Sequence, residues 1–224
     1  MRMAIAALAS MAALGLAAPA QAGDPDGKLQ IKLLGSAVLP DGEINEVNTD
    51  LIGLPAGLQT EANDNYVPTI AIEYFFNPNV SVETICCTTQ HDVDAVSGAP
   101  GAELVADALI VPATLTLKYH FGSGRTVKPY IGAGPAFFLI LDDEPGATAI
   151  ALGADDFKLD NAFGFALQAG VDVPLGDNGL ALSLDAKKYF ISSDAHWYAG
   201  GTEVIGTEHK LDPWVLSAGL GFRF

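Results

Sequence analysis

Lys32, Glu73, Glu83, Lys118, Asp172, Asp185, Lys187 and Arg223 are the residues of this chain with the most demanding chemistry. Each stands at the polar phase of a two-residue alternation, which places it on the less apolar face of a strand. If those faces enclose a common interior, isolated charges there are costly unless paired or wet. Both signs are present. The expected outcome is a polar network that plugs one half of an enclosed lumen, with Glu73, Lys118, Asp172, Asp185, Lys187 and Arg223 as candidate members. The alternative use of the same charges is gating or selectivity.

Other constellations carry less. His196 beside Ser192 or Ser193, and His120 beside a threonine, are the pairings a hydrolase would need, but no G-x-S-x-G elbow accompanies them. The sequence therefore assigns no catalytic residue. His91-Asp92-x-Asp94 and Asp142-Asp143-Glu144 lack the ligand spacing of an EF-hand or a zinc site, so no metal or cofactor is assigned either. Cys86 and Cys87 are adjacent, with Cα atoms only about 3.8 Å apart. That is below the disulfide range, and in a strand the two thiols point to opposite faces.

The elements that must hold these residues are strands. In the last segment Trp214, Leu216, Ala218, Leu220, Phe222 and Phe224 alternate with Val215, Ser217, Gly219, Gly221 and Arg223. Seven earlier segments alternate likewise, over 28–39, 69–76, 80–87, 111–121, 127–141, 162–173 and 179–191. An apolar outer face with a small or polar inner face is what a lipid-embedded barrel requires. Connections at 77–79, 122–126 and 176–178 are short and rich in turn residues, whereas 40–68, 88–110, 142–161 and 192–212 are long. The fold expected is all-β: an eight-stranded antiparallel transmembrane β-barrel with short periplasmic turns and long extracellular loops. A soluble barrel with an apolar interior would invert the faces; the leader, the glycines on the small-residue face and the terminal aromatic favour lipid outside.

Composition agrees. Residues 1–22 read as a signal peptide, with Arg2, an apolar stretch from Ala4 to Ala18 and an Ala20-Gln21-Ala22 ending, leaving 23–224 as a single barrel domain. Half the residues are apolar and mean hydropathy is +0.29, yet no later run is long enough for a spanning helix. The formal charge of −16 argues against a nucleic-acid partner. Most acidic residues fall in the four long connections, where solvated loops are the simplest account.

Longer motifs add a resemblance. Lys118-Tyr119-His120-Phe121-Gly122 followed by Lys128-Pro129-Tyr130-Ile131-Gly132-Ala133-Gly134, then Gly164 to Asp172, then Leu211-Asp212-Pro213-Trp214 with Phe222-Arg223-Phe224, resemble the OmpW family in order and spacing. The set covers roughly residues 112–224; residues 41–67, the Cys86-Cys87 pair and Phe163 depart from it. Phe224 also resembles the sorting signal read by the barrel assembly machinery. The resemblance implies a bacterial outer-membrane barrel forming a narrow passive conduit for small hydrophobic solutes, amid outer-membrane lipid and lipopolysaccharide, with no enzymatic activity. Leu51, Ile52 and Leu54 form a candidate apolar mouth. The alternative is a structural or adhesive barrel with a closed lumen and acidic partner-binding loops.

Overall fold

The structure is a computed structural model and describes residues 23–122 and 127–224. The expected leader, and most of the turn expected at 122–126, lie outside the described residues. In chain order the strands are β1 (Leu29–Leu39), β2 (Glu43–Asp50), β3 (Gln59–Ala62), β4 (Asn65–Asn77), β5 (Val80–Cys86), β6 (Thr89–Ser97), β7 (Glu103–His120) and β8 (Lys128–Pro145). A short helix α1 (Ala147–Ala151) follows, then β9 (Asp156–Leu159), β10 (Ala162–Pro174), β11 (Leu180–Phe190), β12 (Ser192–Ala199), β13 (Thr202–Lys210) and β14 (Trp214–Arg223).

Eight of these close a barrel in the order β7-β5-β4-β1-β14-β11-β10-β8, with β8 returning to β7. The first and last strands pair directly, from Gln30 opposite Arg223 to Leu39 opposite Trp214. Every barrel ladder is antiparallel, and the β7–β8 pairing closes the ring, so none of the eight strands among the described residues is an edge strand. Period two then decides which side each residue sees. Ile31, Leu33, Ile70, Ile72, Leu115, Leu117, Phe165, Leu167, Leu184 and Leu220 are exposed on the outside, while Gln30, Lys32, Thr69, Glu73, Thr116, Lys118 and Gln168 are buried inside. A charge-bearing lumen inside a continuous apolar exterior is the arrangement lipid demands. Aromatic pairs such as Tyr74–Phe76 and Tyr119–Phe121 stand at the turn end of the wall, in T-shaped contact at 5.4 and 5.1 Å between centroids.

The long connections are not loops for most of their length. β2, β3, β6, β9, β12, β13 and the upper parts of β7 and β8 carry the barrel wall onward beyond the membrane. They escape sequence reading because their outer faces are acidic and polar rather than apolar. In β12 Ala195 and Trp197 point inward, whereas Asp194 and His196 take the other face. Pro40 and Pro213 interrupt the chain where two barrel strands meet this head. The head is made of two sheets. One is β2-β13-β12-β9; the other is β3-β6 laddered onto β7.

Leu220→Arg places a cation at an outward, lipid-facing site and is expected to cost about 2–4 kcal/mol if it lies near the bilayer midplane. Urea unfolding in lipid bilayers measures this, with Leu220→Phe as a near-neutral control. An unchanged midpoint for Leu220→Arg would place that face away from hydrocarbon.

Candidate functional site

The lumen is layered. At the turn end Arg223 is held by the N-terminal segment, its Nε donating to the Gly27 carbonyl at 2.6 Å and its guanidinium lying 3.6 Å from the Phe75 ring centroid. Arg223 thus sits one layer below the ion pairs it was expected to join. Above it His120 Nε2 stands 2.8 Å from Glu73 Oε1 and 2.8 Å from Ser81 Oγ. Both partners meet the same ring nitrogen, so this is not a nucleophile–base–acid relay, which needs the two opposite nitrogens. His196 turns instead towards Glu203 at 3.3 Å, and Ser193 Oγ donates to the Asp160 carbonyl at 2.5 Å.

The ion-pair layer follows. Lys32 Nζ reaches Glu73 at 2.8 Å, Glu83 at 3.1 Å and Asp172 at 3.5 Å. Lys118 Nζ reaches Glu73 at 2.9 Å and Glu83 at 2.8 Å, and lies 3.7 Å from the Tyr130 ring centroid. Lys187 Nζ reaches Glu83 at 3.1 Å and Asp185 at 2.7 Å. Gln168 Nε2 donates to Glu83 at 2.8 Å and Asp185 at 2.6 Å while its Oε1 accepts from Thr116 at 2.7 Å. Tyr130 donates its hydroxyl to Asp185 at 2.7 Å, lying over Gly170, where a Cβ would collide with that hydroxyl. Glu73, Lys118, Asp172, Asp185 and Lys187 therefore meet in one network, joined by Lys32, Glu83, Gln168 and Tyr130. The last two are uncharged inner-face residues that charge counting passes over. Eight strands leave an interior that side chains can fill, and here they fill it.

Above this plug the lining turns apolar. Tyr189 and Thr114 share a hydrogen bond of 3.1 Å, and Val38, Ile110, Phe138, Ile191, Leu211 and Val215 cluster above it. A narrow cavity of ≈ 50 Å³ lies among Ile85, Cys87, Ile110, Pro112, Phe138 and Val215. A larger one of ≈ 330 Å³ lies in the head among Ile44, Leu54, Leu58, Leu104, Trp197 and Val204. Of the expected mouth residues, Ile52 and Leu54 line this upper cavity; Leu51 points to solvent, 67% exposed. His91 lines the lower cavity and His209 is buried beside Thr60 and Thr207, and burial lowers both imidazoles from the ordinary value, leaving them uncharged near neutrality. Thr89 and Thr207 each hold one ring nitrogen, at 2.8 and 2.7 Å.

The wall beside the lower cavity is interrupted. The β5–β7 register ends at Ile85 opposite Thr114, and β6–β7 resumes at Thr89 opposite Ile110. Residues 86–88 and 111–113 carry no registered pair between them, and Pro112 has no N–H to offer. The outward side chains over this gap are Cys86, Thr88, Val111 and Ala113. Both thiols are free, Cys86 facing out and Cys87 in.

Two outcomes follow from this geometry. Glu83→Gln leaves three buried lysines short of a partner and is expected to cost about 3–5 kcal/mol in bilayer unfolding. Adding Lys187→Met should recover part of the loss, since residues of one network do not add independently. In the head, Asp50 accepts from the N–H groups of Ile52, Gly53 and Leu54 at 3.2, 2.7 and 2.9 Å, and these bonds lower its carboxyl below the ordinary value. The hold is complete above the unfolded aspartate value of about 4 and is lost as pH falls through the depressed one. Gly53 and Leu54 amide resonances should titrate at that low midpoint, and not at all in Asp50→Ala.

Residues 25–224 match the OmpW family model. Outer membrane protein W of Vibrio cholerae is 26% identical over the whole of both chains. An outer-membrane protein of Sinorhizobium fredii, y4mB, is 36% identical over 87% of this chain and 79% of its own length. Among solved structures, outer membrane protein OprG of Pseudomonas aeruginosa superposes with a TM-score of 0.75 at 23% identity, covering 90% of this chain and 98% of that one. AlkL, solved in lipid bilayers, superposes with a TM-score of 0.70 at 25% identity, covering 92% and 95%. With its strands closed into one eight-stranded wall and the match running from Pro25 to the last residue, this chain belongs to the OmpW family of outer-membrane β-barrel proteins.

Proposed function

We propose that this barrel is a narrow passive conduit that takes small neutral apolar molecules from the cell exterior into the outer membrane. The observation that supports it is the order of the lumen: a small apolar cavity lies above the ion-pair layer, a larger one lies beyond it in the head, and the wall ladder is broken beside the lower one. A solute that reaches the lower cavity cannot continue through Glu73, Glu83 and the three lysines without desolvating them. The gap between Cys87 and Pro112 gives it a sideways path into lipid, where it is more soluble than in water. Uncharged His91 and His209 add no ionic attraction, so ionic solutes gain nothing to offset their desolvation.

No bond is made or broken in this role, and no cofactor takes part. Phe224 faces outward beside Phe222, with centroids 6.0 Å apart, and its main chain pairs with Leu29 in both directions. Its burial is modest, so its proposed part is as the recognition mark of the assembly machinery rather than as a source of stability. Lipopolysaccharide is the proposed neighbour of the acidic head.

The test uses purified protein in liposomes. Uptake of a neutral aromatic hydrocarbon should exceed that of protein-free vesicles, while its carboxylate analogue should not, and planar bilayers should show only small conductance. Cys87→Leu, which fills the lower cavity, should slow uptake several-fold with the barrel still folded. Hydrocarbon uptake no faster than in protein-free vesicles would return the closed, structural reading of the barrel.

A further inference from the structure

The two sheets of the head meet at β2 and β3 without a backbone ladder. Where ladder bonds would run, a side chain stands in for a strand. Ile44 N–H donates to Gln59 Oε1 at 3.2 Å, and Gln59 Nε2 donates to the Ile44 carbonyl at 3.3 Å. Beside this, Thr60 Oγ1 donates to the Gly42 carbonyl at 2.6 Å, and His209 Nδ1 stands 3.2 Å from the same carbonyl. One bond between main chains, from Ala62 N–H to the Asp41 carbonyl at 3.3 Å, closes the base of the seam.

The seam runs along both cavities. Ile44 and Leu58 line the upper one; Pro40 and Ala62 line the lower one. Its fastenings at Gln59 and Thr60 lie between those two pairs of residues in the chain, at the neck that separates the compartments. The opposite junction, β8 against β9, also lacks a ladder and is tied by side chains, Asp143 accepting from Leu159 N–H at 2.5 Å and Asn161 from Ile140 N–H at 2.8 Å, but an apolar cluster packs beside it. There Val105, Ala149, Phe157 and Trp197 form a buried apolar cluster, and Trp197 Nε1 crosses to the Leu104 carbonyl at 3.0 Å. Both sides border the cavities, but the apolar cluster holds only the β8/β9 side and includes no residue of β2 or β3. Opening is cheapest where few apolar contacts and few backbone bonds must be given up.

We propose that the β2/β3 seam is the gate joining the two apolar compartments, with Gln59 as the positioning residue that holds it shut. This rests on the conduit reading above. Gln59→Leu keeps the size of the side chain and removes both bonds to Ile44. A seam relieved of a bond of ordinary strength opens about three- to tenfold more often.

The experiment measures hydrocarbon uptake in liposomes in a background carrying Cys86→Ala and Cys87→Ala. In that background Ile44→Cys and Gln59→Cys are joined by a short thiol cross-linker, with the single-cysteine variants treated alike as reference. Cross-linking should bring uptake down to the protein-free rate, and Gln59→Leu should raise it about three- to tenfold. Hydrogen exchange supplies a second readout. In Gln59→Leu the Ile44 and Ala62 amides should exchange faster while Thr207 and its β13 neighbours stay as in the parent. Equal uptake with and without the cross-link, in a protein that conducts, would overturn the gate and leave the conduit standing. Faster exchange throughout the head would make Gln59 a support of the whole head and would likewise overturn the gate. A parent protein that takes up no hydrocarbon would remove the conduit and the gate together.

Discussion

Glu83 accepts from Lys32, Lys118, Lys187 and Gln168, which stand on four different strands of the barrel. No local segment can assemble such a site. It exists only when β1, β7, β10 and β11 hold their registers around the same cross-section, and a one-residue slip in any of them would turn its member of the set into lipid. The converse also holds. Lipid outside forces every apolar phase outward, and that leaves each lysine and carboxylate facing the lumen, where only its neighbours can neutralise it. The wall and the plug are two results of one constraint, and neither is stable without the other.

That constraint shapes the rest of the lumen. Charges that satisfy one another bind no passing ion and leave little room for water, so the lower half of the barrel is a stopper. Above it the inner face carries Val38, Ile110, Phe138 and Val215, which have no polar demand to meet. Space left there stays apolar and is suited to apolar occupants. The break beside Cys87 and Pro112 falls at this height, not beside the ion pairs. A break lower down would expose paired charges to hydrocarbon; a break at the cavity exposes only apolar lining.

The faces of the barrel strands were legible in the sequence because period two needs no knowledge of register. Glu73, Lys118, Asp172, Asp185 and Lys187 could be placed inside from alternation alone, but which of them meet depends on how eight strands are staggered, and alternation is silent about that. Arg223 shares the inner face, yet it is drawn to the Gly27 carbonyl and the Phe75 ring at the end of the barrel. Gln168 and Tyr130 share the inner phase, but with no charge nothing in the alternation singles them out as members of the network. The head was read as loops because its strands face water with acids, and a strand with polar residues on one face and mixed residues on the other has no clear period. Leu51 and Ile52 are chemically alike and adjacent, and only the turn bound by Asp50 decides that one faces the cavity and the other solvent.

The acidity of the head has a structural use that composition alone does not suggest. Glu103 accepts from Ala147 N–H at 2.9 Å, Asp143 from Leu159 N–H at 2.5 Å, Asp155 from Gly200 N–H at 2.8 Å and Asp92 from Asp107 N–H at 2.9 Å. Each carboxylate caps backbone donors where a ladder ends or a hairpin turns. Bonds to an ionised acceptor are stronger than neutral ones, and that matters where strand edges stand in water without a partner. A strand edge that is capped by a side chain is also a poor template for a foreign strand, so the same residues that tie the hairpins protect the head from edge-to-edge association. Part of the negative charge is therefore placed by the needs of the hairpins. The apolar cavity they surround can stay uncharged although the surface above it is strongly acidic.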